Sequence, residues 1–340
     1  MPRVSCIIPF YNVENYLSSC IESTLMQDYK NLHIVLINDG SSDNSLSIAK
    51  SFTNSKITLI NLHKNYGASV ARNCGMSFIM GGVELDKKFQ IIKTSPLHSS
   101  PNPNDFLIFI DSDDLFASPN SLQILVSNAI SNKSDITLGV SNVMDENGKI
   151  IRNGNKSEIF EKSNVMSGRD FLSKVTHNYF CKGPSNLMRT SFLFNHKIKF
   201  PESIINEDLE FGFECFLNAK RISNVDIPTY IRRQRIGSVS HPKTFNNHKL
   251  SLLSHTYIHN SLYLEGLLKN YPNENFTNLI KRCLAYNASP AITYSILNDP
   301  KNKKELKRLL PYANAKAKLG YYAPRVFKIL HAFKQKIKKV

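Results

Sequence analysis

Val4–Pro9 is a nearly unbroken apolar run, the pattern of a parallel strand buried on both faces. Over Glu14–Met26 the period changes. Tyr16, Leu17, Cys20, Ile21, Thr24 and Leu25 recur at helical spacing and share one face. His33–Asn38 is a second apolar run. Asp39-Gly40-Ser41-Ser42-Asp43 follows as a turn, with Ser42 or Asp43 the predicted N-cap of a helix through Phe52. The alternation continues as strand Ile57–Ile60, helix Ala68–Ile79, strand Phe106–Ile110, helix Ser121–Ile130 and strand Asp135–Val140. This β-α-β order predicts an α/β domain, its mostly parallel sheet covered by helices on both faces.

Gly81–Asp105 interrupts the pattern with Gly81-Gly82, Pro96, Pro101, Pro103 and several serines. A helix-to-strand connection usually takes a few residues, so this stretch reads as an inserted surface loop with little regular structure. Beyond Val140 the periodicity loosens. Helices are expected over Ser167–His177 and Leu209–Ala219, and a strand pair over Ser223–Ile231. From about Phe245 the chain reads as helical without alternation. The expected division is residues 1–241 as an α/β domain and 242–340 as a helical C-terminal region.

Composition narrows the class. The chain has 340 residues, 41% hydrophobic and 10% aromatic, too apolar for a disordered protein. Its six cysteines are scattered without a CxxC pair, which argues for free thiols in a reducing compartment. No apolar run approaches membrane-span length and no cleavable leader pattern opens the chain, so a cytoplasmic location is expected. The net charge is +16, but Lys301–Val340 holds 13 Lys and Arg against one acid, Glu305. The rest is nearly balanced. The basic character therefore points to a local anionic partner and away from a nucleic-acid surface. Val326, Phe327, Leu330, Phe333 and Ile337 fall on one helical face among basic residues, the pattern of a helix lying on an anionic membrane.

Four clusters carry chemistry. Ile108-Phe109-Ile110-Asp111-Ser112-Asp113-Asp114 delivers three carboxylates from a strand's C-terminal end, where open α/β sheets bind ligands. Crowded carboxylates repel, and a divalent cation with oxygen preference, Mg²⁺ or Mn²⁺, relieves that repulsion. The same acids also suit a helix N-terminus. Asn38-Asp39-Gly40 is either a nucleoside contact or an ordinary Asp-Gly turn. Glu207-Asp208 precedes an amphipathic helix, either as a general base with its neighbour or as a cap. Arg232-Arg233-Gln234-Arg235-Ile236-Gly237-Ser238-Val239-Ser240-His241 has the donors of a phosphate clamp.

Taken in order, Pro9-Phe10-Tyr11-Asn12, Asn38-Asp39-Gly40-Ser41, Ala71-Arg72-Asn73, the DSDD motif, Glu207-Asp208 and the Arg/Ser/His loop resemble the inverting family 2 glycosyltransferases of bacteria, with the GT-A fold. The resemblance covers roughly residues 3–242. It implies a nucleotide-sugar donor, most often a UDP-sugar. Pro9, Tyr11 and Asp39 would then lie against uracil and ribose, and Arg72 near the nucleotide or its phosphates. Asp111 and Ser112 would face the ribose or donor sugar, and Asp113 would hold the metal. Asp208 matches the catalytic base and Glu207 its partner. Arg233, Arg235 and Ser238 would close over the diphosphate, with His241 on the metal or the phosphates; Arg235 stands where many relatives have His. The chain has no tryptophan, hence no QxxRW motif of processive relatives, so addition of one sugar is expected. The implied acceptor is a lipopolysaccharide-type or other lipid-linked surface glycan, with galactose favoured among the candidate sugars. The alternative is an inactive nucleotide-sugar binder or assembly partner.

Overall fold

The computed structural model describes residues 1–81, 89–95, 102–154, 160, 165–175, 185–235, 247–298 and 302–337. Among these residues, six strands run in one direction: β1 (Val4–Phe10), β2 (Leu32–Asn38), β3 (Ile57–Leu62), β5 (Phe106–Phe109), β7 (Ile136–Met144) and β11 (Ile222–Arg233). Five further strands run against them: β4 (Phe89–Lys93), β6 (Leu115–Phe116), β8 (Ile150–Arg152), β9 (Val165–Met166) and β10 (Leu187–Arg189). The sheet order is β4-β3-β2-β1-β5-β10-β7-β11-β6, with β8 paired to β7 and β9 to β11.

Both faces of the parallel strands are covered. Cys6 and Ile8 of β1 pack with α1 (Leu17–Leu25), α2 (Ser45–Ser51) and α4 (Ser121–Ser131). The intervening Ile7 faces the other core, with α3 (Ala68–Ile79), α5 (Gly168–Lys174), α6 (Thr190–Asn195) and α7 (Asp208–Asn218). That second core continues without a break into the C-terminal helices α8 (Asn247–Asn270), α9 (Thr277–Asn298), α10 (Lys303–Leu309), α11 (Ala315–Tyr322) and α12 (Pro324–Ile337).

Several expectations need correction. The Gly81–Asp105 insertion is not without regular structure, because Phe89–Lys93 forms the sheet's edge strand against β3. The expected strand pair over Ser223–Ile231 is one strand, β11, whose register shifts around Pro228. A proline has no N–H for the ladder, so the irregularity falls there. The N-cap of α2 is Asn44, although the Asp43 carboxylate still accepts from Ser45 N at 3.0 Å. In the helix expected over Ser167–His177 the described turns end at Lys174, and His177 lies outside the described residues.

Candidate active site

The chain leaves β1 toward β2 and β3 on one side and later returns to β5 on the other. The strand order therefore reverses between β1 and β5. Loops diverge at such a point and open a crevice at the carboxyl ends of the strands. A cavity of about 610 Å³ occupies it, within the range of small-ligand sites.

Side chains clip the loops of this crevice together. Asn12, in the left-handed region at φ 50°, turns the chain after β1 and accepts from Ser42 N at 2.8 Å. Gly40 has φ 68°, and a Cβ there would stand 2.4 Å from the Lys64 carbonyl carbon, so only glycine fits. Asp39 accepts from Tyr66 N at 2.8 Å and Gly67 N at 2.9 Å, tying the end of β2 to the turn after β3. Burial raises its pKa and those two bonds oppose the rise.

The acidic motif after β5 divides its work. Asp114 is buried, accepts from Tyr230 OH at 2.8 Å and Arg233 N at 2.7 Å, and so pins the end of β11. Burial, then the charges of Asp111 and Asp113, push it well above the usual carboxylate range. Arg233 donates to the Asp113 carbonyl at 3.0 Å and the Glu146 carbonyl at 3.0 Å. Arg235 donates to Asp113 Oδ2 at 2.5 Å. Both guanidiniums lie over the Tyr16 ring, at 5.1 and 5.4 Å.

Arg72 crosses the crevice floor. Its buried guanidinium donates to Asp111 Oδ1 at 2.9 Å, pairs with Glu207 Oε1 and lies 5.1 Å from the Phe200 ring. Burial acts to lower its pKa, but Glu207 and Asp111 outweigh it and the net shift is upward, so the cation persists. Burial raises Asp111, against the pull of Arg72.

Glu207 and Asp208 follow a contorted approach, with Ser203 at φ 66° and Asn206 at φ 56°. Asp208 is the first residue of α7 and lines the cavity. Helix α8 braces this segment. Thr256 Oγ1 accepts from Ile205 N at 3.1 Å, His259 bonds Glu210 at 2.7 Å and Tyr263 donates to Glu214 at 2.8 Å. Leu252 of α8 adds an apolar wall beside Ile204 and Ile205.

Pro9, Tyr11, Asp39, Arg72, Asp111, Ser112, Asp113, Glu207, Asp208, Arg233 and Arg235 all line this cavity. Ser238 and His241 lie outside the described residues. The Arg233 guanidinium, expected on a diphosphate, instead holds two backbone carbonyls. Arg72, expected near the nucleotide, is committed to two carboxylates. Tyr16, Tyr230, Leu252 and the turn Asn65–Gly67 also stand at the site, without a motif in the sequence to mark them. Tyr16 read as a helix-face residue, and Tyr230 and Leu252 carry no local signal. Asp114 was visible only as the third acid of its motif.

Glycosyl transferase family 2 matches residues 5–83. Glycosyltransferase GlyA of Streptococcus pneumoniae is 31% identical over 138 residues, which cover 40% of this chain and 16% of GlyA. EpsJ of Bacillus subtilis, an uncharacterized glycosyltransferase, is 26% identical over 246 residues, 69% of this chain and 62% of EpsJ. The chain thus spans less than two thirds of the length of either relative. Staphylococcus aureus TarS 1–349 in complex with UDP-GlcNAc matches with a TM-score of 0.58 at 19% identity, over 98% of this chain and 92% of that one. The mannosyltransferase PcManGT of Pyrobaculum calidifontis, in complex with GDP-Man and Mn²⁺, matches with a TM-score of 0.51 at 14% identity, over 100% and 81%. Sheet order, strand-end crevice and structural match agree on the GT-A fold, and residues 5–83 within it match glycosyl transferase family 2.

Proposed function

We propose that the protein is an inverting glycosyltransferase that moves one sugar from a UDP-sugar to a hydroxyl of a lipid-linked bacterial surface glycan. One observation carries the reading. The acids of the DSDD motif and of Glu207-Asp208 come from positions about a hundred residues apart, yet they face one cavity and share Arg72 between them. The UDP-GlcNAc of the TarS complex supports a UDP-sugar donor, and galactose is the sugar to test first.

In this reading Asp208 is the general base. It takes the proton of the acceptor hydroxyl as that oxygen attacks the anomeric carbon from the face opposite the diphosphate. Glu207, held by Arg72, fixes the start of α7 and so the position of Asp208. Tyr11, 45% exposed at the rim, offers a ring to the nucleobase, and Pro9 and Asp39 line the same end. Asp111 and Ser112 take the ribose or sugar hydroxyls. Arg235 and Ser238 take the diphosphate, while Arg233 keeps the loop in place.

A divalent cation, Mn²⁺ or Mg²⁺, fits this acid set. Burial and neighbouring acids raise Asp111 and Asp114, which disfavours their ionised forms, and a cation beside them would favour those forms. Among the described residues no three His, Cys, Asp or Glu side chains form a complete metal site. Asp113 would therefore hold the ion with substrate phosphate oxygens, joined by His241 as the sequence suggests. Bound there, the cation would offset the charge of the departing diphosphate. The Mn²⁺ of the PcManGT complex supports this assignment.

No helix among the described residues is long and apolar enough to cross a membrane. Reaching a lipid-linked acceptor then calls for peripheral attachment at the inner face of the cytoplasmic membrane, through the basic C-terminal region. We assign catalysis to residues 1–241 and attachment to 242–340.

The test is UDP release from a panel of UDP-sugars, with Mn²⁺ or with EDTA, alongside Asp208→Asn. Metal-dependent release from one sugar, cut about 10²–10⁴-fold by Asp208→Asn with donor affinity kept, is the expected result. Donor binding without turnover on any acceptor would favour an inactive binder. Loss of donor binding in Asp208→Asn would make Asp208 structural.

A further inference from the structure

Five of the fourteen exposed large apolar side chains in the described residues fall within twelve positions of the C-terminal helices. They are Leu319, Tyr322, Val326, Ile329 and Leu330, exposed by 46 to 74%. Scattered apolar residues need no explanation, but a concentration of them on two consecutive helices points to a contact surface. The group sits on a fixed base. Phe327 is 2% exposed and turns inward against Gly320, where a Cβ would lie 3.1 Å from its ring and 3.1 Å from Ile296 of α9. Its ring stacks on His331 at 6.0 Å. Helix α12 thus has two apolar sides. Phe327 docks it to the body, which corrects the face expected from the sequence, and Val326, Ile329 and Leu330 point to solvent.

The charge along these two helices has one sign. Lys316, Arg325 and Lys328 are exposed beside it, and no acid follows Glu305 in the chain. A second copy would bring cation against cation, so the surface opposes self-association. A nucleic acid would match the charge but leave the apolar residues uncovered. An anionic lipid surface satisfies both. Lys and Arg stems lie along apolar surface with their ends at headgroup phosphates, while Leu, Ile and Val enter the acyl boundary and Tyr stays at the interface. The 14 residues of α12 span about 21 Å, less than the hydrocarbon core, so the helix lies in the surface.

We propose that the corner between α11 and α12 is the membrane-docking surface, taking anionic phospholipid through Tyr322, Val326, Ile329 and Leu330 with Arg325 and Lys328 at its rim. The inference rests on the peripheral-membrane reading above and supplies its contact and its lipid chemistry.

The experiment is co-sedimentation of the full chain with phosphatidylglycerol/phosphatidylethanolamine vesicles and with phosphatidylcholine vesicles. The combined variant Tyr322→Ser, Ile329→Ser, Leu330→Ser and the variant Arg325→Gln, Lys328→Gln run alongside. All five positions are exposed, so unchanged melting temperatures verify folding. The expected result is binding to anionic vesicles only, reduced at least tenfold by either variant and weakened by salt. The chain has no tryptophan, so Leu330→Trp gives a single reporter whose emission should shift to the blue on anionic vesicles. Undiminished binding of the apolar variant would overturn this surface while leaving membrane attachment standing. No vesicle binding by the full chain would overturn both. A dimer in sedimentation velocity that the apolar variant abolishes, without lipid binding, would identify a self-interface instead. UDP release toward a water-soluble acceptor, measured on the same variants, keeps these outcomes separate from the catalytic reading.

Discussion

Arg72 joins the two acidic segments of the crevice. One guanidinium, almost fully buried, answers Asp111 at the end of β5 and Glu207 at the start of α7. Neither carboxylate has another side-chain cation within ion-pair distance among the described residues. Removing one partner of a buried pair costs more than the pair contributes, because the survivor keeps its desolvation without its attraction. Arg72→Ala should therefore cost about 3–5 kcal/mol of stability, read from urea unfolding. Arg72→Lys should recover only part of it, since an ammonium cannot present a planar fork to two acids. A loss within 0.5 kcal/mol would show that water reaches both carboxylates. None of this was legible in the sequence. Ala71-Arg72-Asn73 pointed to the cavity by family resemblance, but the partners lie 39 and 135 residues away along the chain. The described candidate residues line one cavity, whereas their pairings had no signal in the sequence.

At the scale of elements, strands β1 and β2 were readable because both of their faces are buried, which leaves an apolar run with no polar phase. Helix α3 fell on the residues its periodicity predicted, Ala68–Ile79. Strands β6, β9 and β10, of two or three residues, are too short to show a period and exist through their neighbours. Strand β4 was hidden inside a proline- and serine-rich stretch. Connections between elements carry pH dependence as well. Tyr29, in the turn from α1 to β2, donates to the Pro2 carbonyl at 2.6 Å and is pushed up to about 12 by burial, with Asp105 adding to it. The unfolded chain ionises this phenol near 10, so folding holds its proton more tightly. The sign follows: the contribution is whole below pH 10 and lost as pH rises from 10 to 12. Tyr29→Phe should flatten the fall of melting temperature over that window relative to the natural protein, at some cost in stability at pH 7. Parallel curves for the two proteins would place the alkaline loss elsewhere.

For the molecule as a whole, the question is whether the α/β part and the helices behave as two bodies. The sequence divides there, because alternation stops and charge accumulates. The packing does not divide. Phe200 and Phe211 beneath the crevice belong to the same buried cluster as Leu264 of α8 and Cys283 and Leu284 of α9. Helix α8 also bonds the segment that carries Asp208, through Thr256, His259 and Tyr263, and contributes Leu252 to the cavity wall. A chain cut after residue 245 would expose that cluster and release the start of α7 together. We expect residues 1–245 alone to lack a cooperative thermal transition and to bind no UDP-sugar. A chain cut after residue 323 should melt cooperatively, at a somewhat lower temperature, because only α12 and the burial of Phe327 are lost. A 1–245 segment that melts cooperatively and binds donor would show that the helices are an attachment, with the catalytic half complete by itself. The opposite result would mean that the C-terminal helices, α8 first among them, are needed to hold the segment that carries Asp208. The placement of Asp208 would then depend on the same packed cluster that carries α11 and α12, the helices of the proposed membrane contact.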